Sequence, residues 1–210
     1  MRGEKIFSYV AMSSSFCMFL VALISPLYVA VGGENILGIV FSRIPGMELK
    51  ITTFDRVSIV TFFFFLTLFF VAHALYEKRK SMKIMSFLSA VYSGVYILIL
   101  LLVGSYGLVI NNFPIISIPI GMVLGAKFFI LVPAVYFLLI WCDKSNSPFV
   151  RGSSFFHSLS LILIGVIKIS EVLLKPFVRV LVFDISVSLY LISLASVTFF
   201  MYRKYYDSDE

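Results

Sequence analysis

The ten residues TFFFFLTLFF, Thr61 to Phe70, decide how the rest of the chain is read. A half-exposed strand alternates apolar with polar, and a soluble amphipathic helix keeps one polar face. This stretch does neither: phenylalanine and leucine surround two threonines with no charge among them. The whole chain shares the character. Of 210 residues, 60% are hydrophobic and 13% charged, and the mean hydropathy is +1.04. A soluble domain draws roughly a quarter of its residues from Asp, Glu, Lys and Arg. Half that supply does not cover a water-facing surface, so lipid is the solvent for most side chains.

An apolar helix of about 20 residues crosses a hydrocarbon layer of about 30 Å. Six such runs are present, at 6–31, 57–76, 84–108, 122–142, 154–174 and 180–202. Their continuity predicts an all-α, six-transmembrane-helix bundle and not a barrel, whose strands alternate over about ten residues. The opening MRGEK followed by an apolar run resembles a secretory signal. Its apolar part exceeds the usual core of about 7–15 residues and no small-residue cleavage site closes it, so a retained helix is expected.

Orientation follows from the basic residues. One side collects Arg2, Lys5, Lys78, Arg79, Lys80, Lys83, Lys144, Arg151, Arg203 and Lys204, with the tight EKRK cluster among them. The positive-inside rule then puts both termini in the cytoplasm of a multi-pass cell-membrane protein. The 32–56 segment becomes an outer loop, with ILGIVF and MELKITTF as candidate strands or interfacial pieces. The second outer connector, 111–126, is apolar but broken by Pro114 and Pro119, and so is interfacial or re-entrant. The segments SRIPGMEL (Ser42 to Leu49) and SIPIGMVL (Ser117 to Leu124) echo each other, and coincidence is the simpler account. The net charge of +6 is scattered over several loops, so lipid headgroups and not nucleic acid are the expected partners. Cys17 and Cys142 fall at different depths and are expected as free thiols.

Intramembrane charge is where chemistry is sought. Counting from the cytoplasmic end of each run puts Lys168 about 21 Å in, Glu171 about 25 Å, Lys127 about 24 Å and Asp184 about 28 Å. These four form one charged slab in the outer third of the membrane. Lys168 and Glu171, three apart on a helix, can pair. The simpler reading is an ion-pair cluster joining three helices. The sharper one is a substrate or proton site facing an outer cavity.

His73 and His157 appear at a shared depth of about 5–6 Å, which would suit a pair of haem or metal ligands. Without a third ligand pattern, two interfacial histidines with wet tips are the more ordinary expectation. The small residues Ser13 to Ser15, Ser89, Ala90, Ser93 and Gly94 suit close helix packing, with hydroxyls bonded back to the preceding turn. Pro26 and Pro133 are expected to kink their helices.

No hydrolase, kinase, metalloprotease or redox-thiol motif is present in the sequence, and no enzymatic activity is expected. Three functions fit. A small transport or channel-like protein built around Lys127, Lys168, Glu171 and Asp184 heads them. Next is a non-enzymatic subunit of a larger membrane complex or homo-oligomer, and the sequence does not separate these two. A haem-binding electron carrier using His73 and His157 is third; no cofactor is otherwise expected.

Overall fold

Two prolines mark helix starts that hydropathy alone does not register. Proline suits the first helical position, where its missing N–H has no partner to lose. In a computed structural model, which describes residues 2–30, 53–106, 130–169 and 176–207, α5 begins at Pro148 and α6 at Pro176. Among the described residues the order is α1 (Arg2–Ala30), α2 (Thr53–Tyr76), α3 (Lys80–Tyr106), α4 (Leu131–Cys142), α5 (Pro148–Ile169) and α6 (Pro176–Asp207). Ser147 caps α5: its hydroxyl accepts the Val150 N–H at 3.3 Å, satisfying one of the first-turn donors. No strand occurs among the described residues.

Five helices begin earlier than the apolar runs suggest, because hydrophobicity reports the apolar length whereas backbone hydrogen bonding continues into the polar margin. Helix α2 starts at Thr53, so 53–56 are helical and not loop. Helix α5 starts six residues before Ser154 and α6 four before Val180. Helix α1 continues through Pro26. The 32–52 part of the expected outer loop, the 111–126 connector and both echoing segments lie outside the described residues.

Each helix packs on its neighbours in the chain, and α6 returns to α1, closing a ring of six. Short connections, 77–79 and 143–147, make antiparallel hairpins of α2–α3 and α4–α5. The closing pair is antiparallel too. Phe16 meets Tyr202 and Phe19 meets Phe199, with ring centroids 5.2 and 5.3 Å apart. The start of α1 and the end of α6 therefore lie at the same end of the bundle. Side chains of α2 reach into the middle, Phe70 meeting Tyr136 of α4 and Phe62 meeting Tyr190 of α6.

The distribution of side chains is inverted relative to a water-soluble bundle. Helix α5 exposes Phe149 (69%), Phe156 (64%), Leu159 and Val166, while burying Ser153, Ser154, His157, Ser158 and Ser160. Helix α3 exposes Phe87, Val91 and Leu98 and buries Ser86, Ser89 and Ser93. Water rewards the opposite arrangement, since exposed apolar surface costs about 25 cal/mol per Å². Among the described residues, Ile6–Ile24, Pro148–Val166 and Ile185–Tyr206 are long and apolar enough to cross a membrane. The described residues are thus all helical, with three candidate membrane-spanning helices, and Val60–Tyr76 and Leu131–Cys142 are shorter apolar helices.

The small face of α3 meets α2: a Cβ added to Gly94 would stand 4.0 Å from Thr67 Cγ2. The buried hydroxyls mostly turn back on their own helix. Ser15 donates to Ala11 O, Ser93 to Ser89 O and Thr198 to Leu194 O, all at 2.7–2.8 Å. Others cross to a neighbour instead: Ser86 donates to Phe70 O at 2.7 Å and Ser158 to Ala134 O at 2.8 Å. Each ties a hairpin at a fixed register.

Candidate functional site

Of the four charged positions singled out by sequence, Lys168 and Asp184 fall on described helices and Lys127 and Glu171 do not. Lys168 lies twenty residues from the start of α5, about 30 Å, and Asp184 twenty-three from the end of α6, about 35 Å. The two helices are antiparallel, in a register fixed by Phe149 with Phe200 and by His157 with Ser193. That register brings Lys168 level with residue 182, within about half a turn of Asp184. The backbone thus sets these two positions at one level, on adjacent helices, far from the end where α5 begins.

The histidines are neither wet nor at one depth. His73 is 3% exposed and His157 1%. His73 stands three residues from the end of α2, but His157 stands nine residues into α5, about 14 Å, because that helix starts at Pro148. The route between the two rings runs through phenylalanine. His73 meets Phe69 at 4.2 Å, Phe69 stacks on Phe137 at 6.5 Å, and Phe137 meets His157 at 4.5 Å. Two phenyl rings therefore occupy the path along which a shared ligand would lie. No cluster of three metal-ligating side chains occurs among the described residues.

A single carbonyl fixes the tautomer of His73. His73 Nδ1 lies 2.7 Å from Phe69 O; a carbonyl only accepts, so the proton is on Nδ1. Its Nε2 is buried without a hydrogen-bond partner. Around His157, Ser160 donates to His157 O at 2.8 Å and Ser193 donates to Tyr190 O at 2.9 Å. Ser193 Oγ also lies 2.9 Å from His157 Nδ1 and 3.1 Å from Ser160 Oγ. The cluster joins α5 to α6. Beside it lies a cavity of about 20 Å³ bordered by Phe70, Tyr92, Pro133, His157, Ile164 and Tyr190, room for about one water molecule.

Among the described residues, the most connected polar group stands at the end where α5 begins. Arg79, in the α2–α3 turn, pairs with Asp143 at 2.8 Å. Asp143 opens the α4–α5 turn, and its Oδ1 accepts the Ser145 N–H at 3.0 Å and hydroxyl at 2.8 Å. Burial alone would raise the Asp143 carboxyl, but the Ser145 donors and the Arg79 guanidinium hold it below the usual range. Asn146 donates to Ile140 O at 3.2 Å and accepts from Lys204 Nζ, near the end of α6, at 2.6 Å. Arg151 Nε donates to Trp141 O at 2.9 Å, and Glu77 Oε1 accepts the Arg79 N–H at 3.1 Å. Two hairpins and the last turn of α6 are clasped together.

In the sequence, Arg79, Arg151 and Lys204 read only as topogenic charge. The signal was present in DKSNSP: Asp with a donor two residues on is an Asx turn, and Ser-Pro is a capped helix start. Cys17 and Cys142 are free, as their depths suggested. In comparisons with known proteins, no family model, no curated protein and no solved structure matches this chain.

Proposed function

We propose that this chain is a six-span protein of the cell membrane, with both termini cytoplasmic, that serves as a non-enzymatic subunit of a larger membrane assembly. The observation that carries this reading is the inverted bundle: an exterior of large apolar side chains around an interior closed by aromatic rings. Phe69, Phe70, Tyr136 and Phe137 are each at most 1% exposed. A solute path along the bundle axis would have to displace them. The cytoplasmic assignment is supported by the gathering of the α2–α3 turn, the α4–α5 turn and the end of α6 at one basic end.

A test separates this reading from transport. Extracted from native membranes in mild detergent, the protein is expected to migrate in a species much larger than its 23.7 kDa, containing other polypeptides stoichiometric with it. Migration as a lone chain, together with solute uptake by proteoliposomes that Lys168→Ala or Asp184→Ala abolishes, would overturn it. The transport reading is favoured by one observation, the common level of Lys168 and Asp184 on the adjacent helices α5 and α6.

A further inference from the structure

We propose that the clasped end of the bundle is a binding surface for anionic phospholipid headgroups. The proposal rests on the membrane reading above and adds a ligand class to it. The fold brings together cations that are remote in sequence: Lys78 to Lys83 around the first turn, Lys144 and Arg151 around the second, and Arg203 and Lys204 on α6. The segments are fixed to one another by Arg79 on Asp143 and by Lys204 on Asn146. Eight cations thus stand with two carboxylates, Glu77 and Asp143, among the described side chains of these segments.

Both carboxylates are engaged inside the clasp. Asp143 is 8% exposed and holds Arg79 and Ser145. Glu77 receives the Arg79 backbone N–H. Lys80, Lys83 and Lys144 are exposed, so the described side chains of this end turn positive charge outward.

A positive patch alone would suit any polyanion. What selects phospholipid is the tier directly beside it. On α3, Lys83 is followed by exposed Ile84 (47%) and Phe87 (58%). After Lys144 the chain reaches Phe149, the large apolar side chain on α5 that stands 69% exposed. Cations above and bare aliphatic or aromatic surface below match the two halves of a lipid, an anionic head and an acyl chain. An acidic protein or a nucleic acid matches the upper tier only.

The experiment uses the full chain in a neutral detergent and follows its thermal unfolding. Phosphatidylglycerol is compared with phosphatidylcholine of the same acyl chains and with inorganic phosphate. Phosphatidylglycerol should raise Tm by about 2–4 °C above the other two, and 1 M NaCl should remove the difference, because the Debye length falls to about 3 Å. The combined Lys80→Gln, Lys83→Gln, Lys144→Gln variant should lose the preference, and the corresponding Glu variant should lose or reverse it.

Equal shifts with both lipids in the natural chain, a preference kept by the Gln variant, or an equal shift with inorganic phosphate would each overturn the proposal. The natural-chain comparison needs no variant to fold. A protein that still requires detergent but shows no lipid preference defeats this inference alone, whereas one soluble without detergent defeats the membrane reading as well.

Discussion

The clasped end and the aromatic middle of the bundle both bury polar atoms, and they do so by different chemistry. At the end, ionised groups reach across elements: Arg79 to Asp143, Lys204 to Asn146, Arg151 to the Trp141 carbonyl. In the middle the polar groups are hydroxyls and the His157 imidazole, the hydroxyls mostly bonded to a carbonyl one turn back on their own helix. An ionised side chain at the centre of a membrane costs about 2.5–3.5 kcal/mol on insertion scales, whereas a serine bonded to its own backbone has its donor satisfied wherever the helix goes. Charge is therefore available for joining segments only near the headgroups. Between the ends, shape must do the joining, and the rings of α2, α4 and α6 supply it.

The sharpest way to break that contrast is to remove a ring. Phe137 touches Phe69, Phe70, Tyr136 and His157 and is 0% exposed. In soluble cores Phe→Ala costs about 3–5 kcal/mol, part of it the transfer from water. A lipid-solvated reference state removes most of the transfer part and leaves the cavity, so Phe137→Ala should cost about 2–3 kcal/mol. Unfolding by a denaturing detergent measures this. A loss below about 1 kcal/mol would mean that the middle collapses around the gap and is not held by shape.

The next effect separates the two kinds of hydroxyl. Ser86 donates to Phe70 O across the α2–α3 hairpin and also hydrogen-bonds the Tyr136 hydroxyl. Ser93 bonds only to its own helix, at Ser89 O and Ala90 O. Ser86→Ala should cost about 1–2 kcal/mol, because a buried phenol loses its partner. Ser93→Ala should stay within about 0.5 kcal/mol of the natural chain, since alanine is the better helix former. Equal losses at both positions would show that register is set by packing alone.

How much of this was legible in the sequence differs between the two regions for a physical reason. The apolar character of the helices is a property of composition, so TFFFFLTLFF and its like announce it without coordinates, although Phe62, Phe63, Leu66, Phe69 and Phe70 turn inward. The small residues Ser89, Ala90 and Ser93 read correctly as a packing face because helical spacing is local. Depth, by contrast, was measured from the first apolar residue, and helices do not start there. Starting α5 at Ser154 instead of Pro148 made His157 look like a shallow partner of His73. The clasp escaped because Arg79, Asp143, Asn146 and Lys204 come from three separate segments, and only the folded ring makes them neighbours. Lys168 and Asp184 were legible as awkward charges, but their common level depends on the α5–α6 register that His157 and Ser193 fix.

The smallest expected effect tests the clasp itself. Asp143 is 8% exposed, but Arg79 remains 54% exposed on its side chain, so the pair belongs with screened surface ion pairs worth about 0.2–1 kcal/mol. Asp143→Asn should cost an amount in that range at neutral pH. The carboxyl is held below its ordinary value of 3.8 despite the opposing effect of burial, because the Ser145 N–H and hydroxyl and the Arg79 charge favour the ionised form. A depressed acid stabilises the fold above its unfolded value and loses that contribution as pH falls through the folded one. The gap between the natural chain and Asp143→Asn should hold steady from about pH 7 to pH 5 and then close as the medium is taken below 3.8. A gap that stays open in acid would mean that the Asn substitution breaks the turn and not the ion pair, because an amide at position 143 disturbs the Ser145 bonds at every pH. Raising salt at neutral pH gives the same discrimination from the other side: it weakens the Arg79 pairing through screening and leaves the hydrogen bonds within the turn untouched.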